Sequence, residues 1–169
     1  MQPLYDREAV AFMWQELDVV GVKPLTSEEE VVEAMEASSK GTALVVVNSV
    51  CGCAAGGARP SIALALQNKV IPDRLYTVFA GVDRAATEKA RSYMTGVQPS
   101  SPSAALFKDG KLVHMIARHN IEGNPIPNIV QNFVEAFNKH CLRQGPSVDA
   151  DVVQKTYGLP DEALKLVNS

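Results

Sequence analysis

Nowhere does this sequence approach the unbroken apolar run of roughly 20 residues that a membrane-spanning helix needs. It also lacks a basic run. Lys and Arg number 16 against 19 Asp and Glu, a formal charge of −3 at pH 7, which argues against binding nucleic acid by neutralising phosphates. The start, Met1 to Glu8, has no basic segment followed by an apolar one, so no secretory signal is visible. There is no internal repeat and no low-complexity tract, which sets repeat and disordered architectures aside. These absences predict a cytoplasmic protein with neither a membrane nor a nucleic acid as partner. What is present is ordinary globular material: 169 residues, 46% hydrophobic and 21% charged, enough for one compact domain with its own core.

The apolar spacing orders the elements. Val10, Met13, Trp14 and Leu17 recur at helical spacing, which predicts a first helix over residues 6–20. Thr26-Ser27-Glu28-Glu29-Glu30 reads as the start of a second, capped by Thr26 or Ser27 and ended by Gly41. Thr42 to Val47 is a continuous β-branched apolar run, the pattern of a central parallel strand buried on both faces. Leu75 to Ala80 reads as a second strand, and residues 83–95 as a helix capped by Asp83 and stopped by Gly96. Ser103–Phe107 and Leu112–Ala117 flank Asp109-Gly110 as a hairpin. Ile126 to His140 is a closing amphipathic helix.

The order helix, helix, β, α, β, α, β, β, α predicts an α/β fold with a four-stranded mixed sheet flanked by helices. Residues 1–141 form that domain. Residues 142–169, set off by Gly145-Pro146, read as a helical extension docked on it. Ser147 would cap one short helix through Lys155, and Asp161 another through Val167.

Three cysteines are too few for a disulfide framework. Cys51 and Cys53 flank Gly52 where the buried strand passes into an alanine-rich segment read as helix. A helix N-terminus stabilises a thiolate, and a strand-to-helix junction projects side chains out of the sheet edge. Two extended residues reach at most ~7 Å, and a disulfide needs Cα atoms about 4.4–6.8 Å apart. A bridge therefore demands a tight turn, which Gly52 permits. The ring is smaller than that of a C-x-x-C pair, so the expected bridge is strained, easily reduced and suited to exchange. Gly52, Gly56 and Gly57 weaken a helix for no packing reason, which points to a ligand or another chain approaching the backbone. Two other readings stand beside exchange. One is a pair of cysteines that only pack. The other is a metal or iron–sulfur module, its ligands completed from Cys141, His140, His119 or His114.

Three further features bear on a site. Pro102 precedes the third strand; a cis bond there would leave a backbone edge to which a substrate chain could pair. Arg118 and His119 follow the returning hairpin strand, on the expected side of Cys51, where Arg118 could attract an anionic small thiol or support a thiolate; a solvated arginine and a hydrogen-bonded histidine are the plainer alternative. His114 reads as structural, His140 as a helix-end histidine favoured by the dipole, Cys141 as a peripheral thiol, Arg59 as solvated and Pro60 as a helix kink.

Four segments in order, V-V-N-S-V-C-G-C-A-A-G-G-A-R-P (Val46 to Pro60), V-F-A-G-V-D (Val78 to Asp83), P-S-S-P-S (Pro99 to Ser103) and R-H-N-I-E-G (Arg118 to Gly123), closely resemble the bacilliredoxin family, from about Leu4 to Cys141. The resemblance implies a thioredoxin-like fold and a cytoplasmic bacterial thiol–disulfide oxidoreductase that removes bacillithiol from S-bacillithiolated client proteins. Disulfide isomerase activity is also attributed to the family. It further implies Cys51 as attacking and Cys53 as resolving thiol, bacillithiol as co-substrate, and no tightly bound cofactor. The family often has proline, an acidic residue and histidine where this chain has Ala117, Asn120 and Asn124. The tail after Cys141 runs past the usual family end.

Overall fold

The structure, a computed structural model, describes residues 1–167. Helix α1 (Ala11–Asp18) is followed by β1 (Lys23–Pro24), α2 (Glu28–Ala37) and β2 (Thr42–Asn48). From Gly52 the chain winds helically through a π turn, Ala54–Ala58, into α3 (Arg59–Ala65). Then come β3 (Val70–Ile71), β4 (Arg74–Phe79), α4 (Arg84–Ser92), the hairpin strands β5 (Ser103–Lys108) and β6 (Lys111–Ile116), and α5 (Ile126–His140). The chain continues as β7 (Arg143–Gln144), α6 (Ala150–Tyr157) and α7 (Asp161–Leu164). No described helix is long and apolar enough to cross a membrane.

The main sheet has the order β1-β4-β2-β5-β6. Strand β2 runs parallel to β4 and antiparallel to β5, and β6 returns antiparallel to β5. The four expected strands are all there, and the arrangement is the thioredoxin-like α/β one. The correction is a fifth strand: β1 pairs with β4 at the sheet edge through Lys23 and Pro24 alone. Two residues show no alternation, and a proline is tolerated at an edge because no neighbour needs its missing N–H.

β2 is central because all seven of its residues are buried. Successive side chains point to opposite faces. Leu44 and Val46 join the core built with Leu17, Ile62, Phe133 and Phe137 of α1, α3 and α5. Val45 and Val47 join the opposite core, with Val31 and Ala34 of α2 and Ala86 and Ala90 of α4. Ser27 caps α2 by accepting the Glu30 N–H at 3.2 Å, and the helix ends at Ala37, short of Gly41. Asp83 makes no side-chain cap on α4; its carboxylate pairs with Arg7 instead.

Residues 142–167 are fastened to the domain at several points. β7 pairs with β3, and a Cβ on Gly145 would collide with the Asn68 carbonyl oxygen, so the approach there requires glycine. Val153 of α6 is fully buried in the α1–α3–α5 core. Ser147, expected as a helix cap, instead donates its hydroxyl to the Val20 carbonyl at 2.7 Å, and Asp149 stands at the start of α6. Of the expected extension, residues 168–169 lie outside the described residues.

Candidate functional site

β2 ends at Asn48, and the next five residues build the dithiol turn. Asn48 fixes the turn with both ends of its amide. Its Nδ2 donates to the Met13 carbonyl at 3.0 Å, and its Oδ1 accepts the Ser49 N–H at 2.9 Å. Ser49 Oγ in turn accepts the Cys51 N–H at 3.3 Å. The Cys51 carbonyl accepts the N–H groups of Ala54 and Ala55 at 3.1 and 3.2 Å, so the helix begins at the dithiol. Cys51 and Cys53 are bonded through sulfur with Cα atoms 5.4 Å apart, inside the range a disulfide accepts. Both cysteines are half-buried, while Gly52 between them is exposed with open space around it. The unpaired amides at a helix start favour the thiolate form of a cysteine there. The two sulfurs lie within bonding reach of each other.

Arg59 is the main correction to the sequence reading. It is not solvated: only 1% of it is exposed. Its Nε donates to Glu16 Oε2 at 2.9 Å, and its Nη1 donates to Asn48 Oδ1 at 3.1 Å and to the Ser49 carbonyl at 2.9 Å. A buried guanidinium therefore holds the turn that presents Cys51. Its partner Glu16 lies on α1, far away in sequence, and no local pattern announces such a pair. Pro60 also differs from expectation. It sits in the first turn of α3, where a missing N–H costs little, and the π turn before it takes up the change of register.

The glycines of this helix divide. Gly56 has open space around it, but a Cβ on Gly57 would stand 3.2 Å from Ile121 Cγ2 and 3.6 Å from Ile129 Cδ1. Gly57 thus serves internal packing, not the approach of a ligand.

The other candidate residues converge on the same sheet edge. Val47 pairs with Ser103, which puts Pro102 beside the end of β2; Pro102 is buried and its bond to Ser101 is cis. Ala104 pairs with Ile116, so the end of β6 delivers Arg118 and His119 to that edge on a 3-10 turn. Arg118 is tied to the segment before Pro102. Its N–H donates to Ser100 Oγ at 3.2 Å and its Nη1 to the Ser101 carbonyl at 3.1 Å, while its Nε binds Glu122 at 2.9 Å. That bond holds the Glu122 carboxyl below the usual range. Arg118 and His119, with Pro99, Ser100 and Glu122, line a groove of about 480 Å³, and the His119 side chain is exposed. Asn120 and Asn124, which depart from the family pattern, knit this loop internally: Asn120 accepts the Ala117 N–H at 2.9 Å, and Asn124 donates to the Asn120 carbonyl at 2.8 Å.

The remaining candidates lie elsewhere. Cys141 is not peripheral. It is 4% exposed, and burial pushes its thiol up to about 11, outweighing a side-chain hydrogen bond with Thr42 that lowers it. Thr42 begins β2, so Cys141 stands at the opposite end of that strand from the dithiol, roughly 20 Å away at the usual rise per residue. His140 precedes it; burial first, then Lys139, Lys108 and His114, lower its pKa, against the expected benefit of the helix end. His114 bonds Asn132 at 2.7 Å. Among the described residues no three His, Cys, Asp or Glu side chains gather at one point.

A family model described as disulphide isomerase matches residues 5–141. A bacilliredoxin of Staphylococcus aureus is 48% identical over 138 residues, spanning 82% of this chain and 94% of that protein. A bacilliredoxin of Staphylococcus epidermidis is similar to the same extent, 48% over 138 residues. One solved chain described as having a thioredoxin fold aligns with a TM-score of 0.48 and 17% identity, covering 66% of this chain and 93% of that one. With a family model spanning most of its length and relatives this similar, the chain belongs to the bacilliredoxin family.

Proposed function

We propose that this chain is a cytoplasmic thiol–disulfide oxidoreductase that reduces mixed disulfides between protein cysteines and bacillithiol. The observation that carries the reading is the Cys51–Cys53 pair at a helix start, half-exposed and with its sulfurs within bonding reach. The relatives' name supports bacillithiol as the small thiol. Cys51 thiolate attacks the bacillithiol sulfur of the mixed disulfide. That S–S bond breaks, its electron pair leaves with the client sulfur, and the client thiolate takes up a proton. Cys53 thiolate then attacks Cys51 Sγ, bacillithiol departs as its thiolate, and the Cys51–Cys53 disulfide forms. A second bacillithiol thiolate can instead attack the bacillithiol sulfur of the adduct, which forms bacillithiol disulfide and releases Cys51 as its thiolate. Each step is thiolate exchange, governed by the pKa of nucleophile and leaving group, and no tightly bound cofactor takes part. The groove beside Arg118 and His119 suits the anionic part of the small thiol. The Ser101–Pro102 backbone next to the dithiol suits the client chain.

The test is release of client thiol from a bacillithiolated protein. Cys51→Ser should abolish turnover, and full activity in that variant would refute the assignment. The description of the matching family model favours a second reading, disulfide isomerisation on protein clients. Reactivation of scrambled ribonuclease by the reduced protein distinguishes the two.

A further inference from the structure

Arg59 is the largest side chain that the described fold fully encloses. We propose that Arg59 is a positioning residue for the dithiol: it fixes the Asn48–Ser49 turn that presents Cys51, and its enclosed charge favours the Cys51 thiolate. Its Nη1 grips the turn twice, at Asn48 Oδ1 and at the Ser49 carbonyl, and Ser49 Oγ receives the Cys51 amide. The permanently charged guanidinium is thus one residue's hydrogen bonds away from the cysteine backbone. Glu16 answers that charge on one side only, through Nε. The Nη2 nitrogen is enclosed with no partner among the described residues. Charges act more strongly across a protein interior than through water.

The extension beyond the family match seals this arrangement. Tyr157 of α6 donates its hydroxyl to the Glu16 carbonyl at 2.7 Å, and burial and Glu16 push its ionisation up. Glu16 from α1 and Tyr157 from α6 are therefore the titratable groups against Arg59. Cys53, Arg118, His119 and Glu122 are those at the sheet edge of Cys51.

The inference rests on Cys51 being the attacking thiol, but its test needs no client. In a Cys53→Ser background, the rate of Cys51 alkylation by iodoacetamide is followed across pH, with the modified peptide identified by mass spectrometry. Arg59→Met should raise the midpoint by roughly one unit, slowing reaction about tenfold below it. Glu16→Gln removes the counter-charge and should lower the midpoint, and Arg59→Lys should fall between Arg59→Met and the parent. Mere loosening of the turn would move Arg59→Met and Glu16→Gln in the same direction. A shared direction, or no movement in either, overturns the proposal. If Arg59→Met does not fold, Glu16→Gln decides alone: a lowered midpoint supports the role, and an unchanged or raised one overturns it.

Discussion

Cys141 and Cys51 sit in different surroundings, the first buried beneath the sheet end and the second half-buried at a helix start. Cys141 is held in its neutral form by burial, with its pKa raised from 9.0 to about 11. The folded state favours the thiol. That contribution to stability is therefore fully present below the ordinary pKa and is lost as pH rises through about 11. Urea unfolding should show the gap between parent and Cys141→Ala narrowing from pH 9 to pH 11; a constant gap would contradict the assigned burial. Arg118 belongs to the same scale. Its guanidinium faces the groove while bonded to Ser101 and Glu122. Arg118→Gln should raise KM for a bacillithiolated client several-fold and change kcat less, since an anchor for the small thiol acts on binding. An unchanged KM would remove Arg118 from recognition.

At the scale of elements, the helix from Gly52 to Ala65 joins the dithiol to the core. Gly56 is exposed with free space around it, so Gly56→Ala should stabilise the fold by about 0.5 kcal/mol through helix propensity. Gly57→Ala meets Ile121 and should cost roughly 1 kcal/mol. Denaturant unfolding of the pair measures both, and equal effects would contradict the packing described.

The legibility of elements followed the strength of their periodicity. α5 was readable to its observed ends, Ile126–His140, because five large apolar residues repeat on one face over 15 residues. β2 was readable from its unbroken β-branched run. β1 was not, since two paired residues leave no pattern, and Arg59 was not, since its burial is decided by Glu16 on another helix. The cysteines were visible because C-G-C at a strand end is a local signal. The support beneath them is assembled from α1, α3 and α6 and is tertiary.

Across the whole molecule, one continuous core links the sheet, the dithiol helix and the C-terminal extension. Val153 is fully buried among residues of α1, α3 and α5, and Tyr157 reaches Glu16. Val153→Ala should cost about 2 kcal/mol and Tyr157→Phe about 1 kcal/mol, each within a single cooperative transition. A separate early transition for the extension would show that it is not integral to the domain.

The most direct measurement of the central claim is the intact mass, followed by peptide mapping, of reduced Cys53→Ser protein after exposure to a bacillithiolated client. One bacillithiol should be retained on Cys51, with an equal amount of client thiol released. Client reduced with Cys51 left unmodified, or an adduct carried by Cys141, would contradict it.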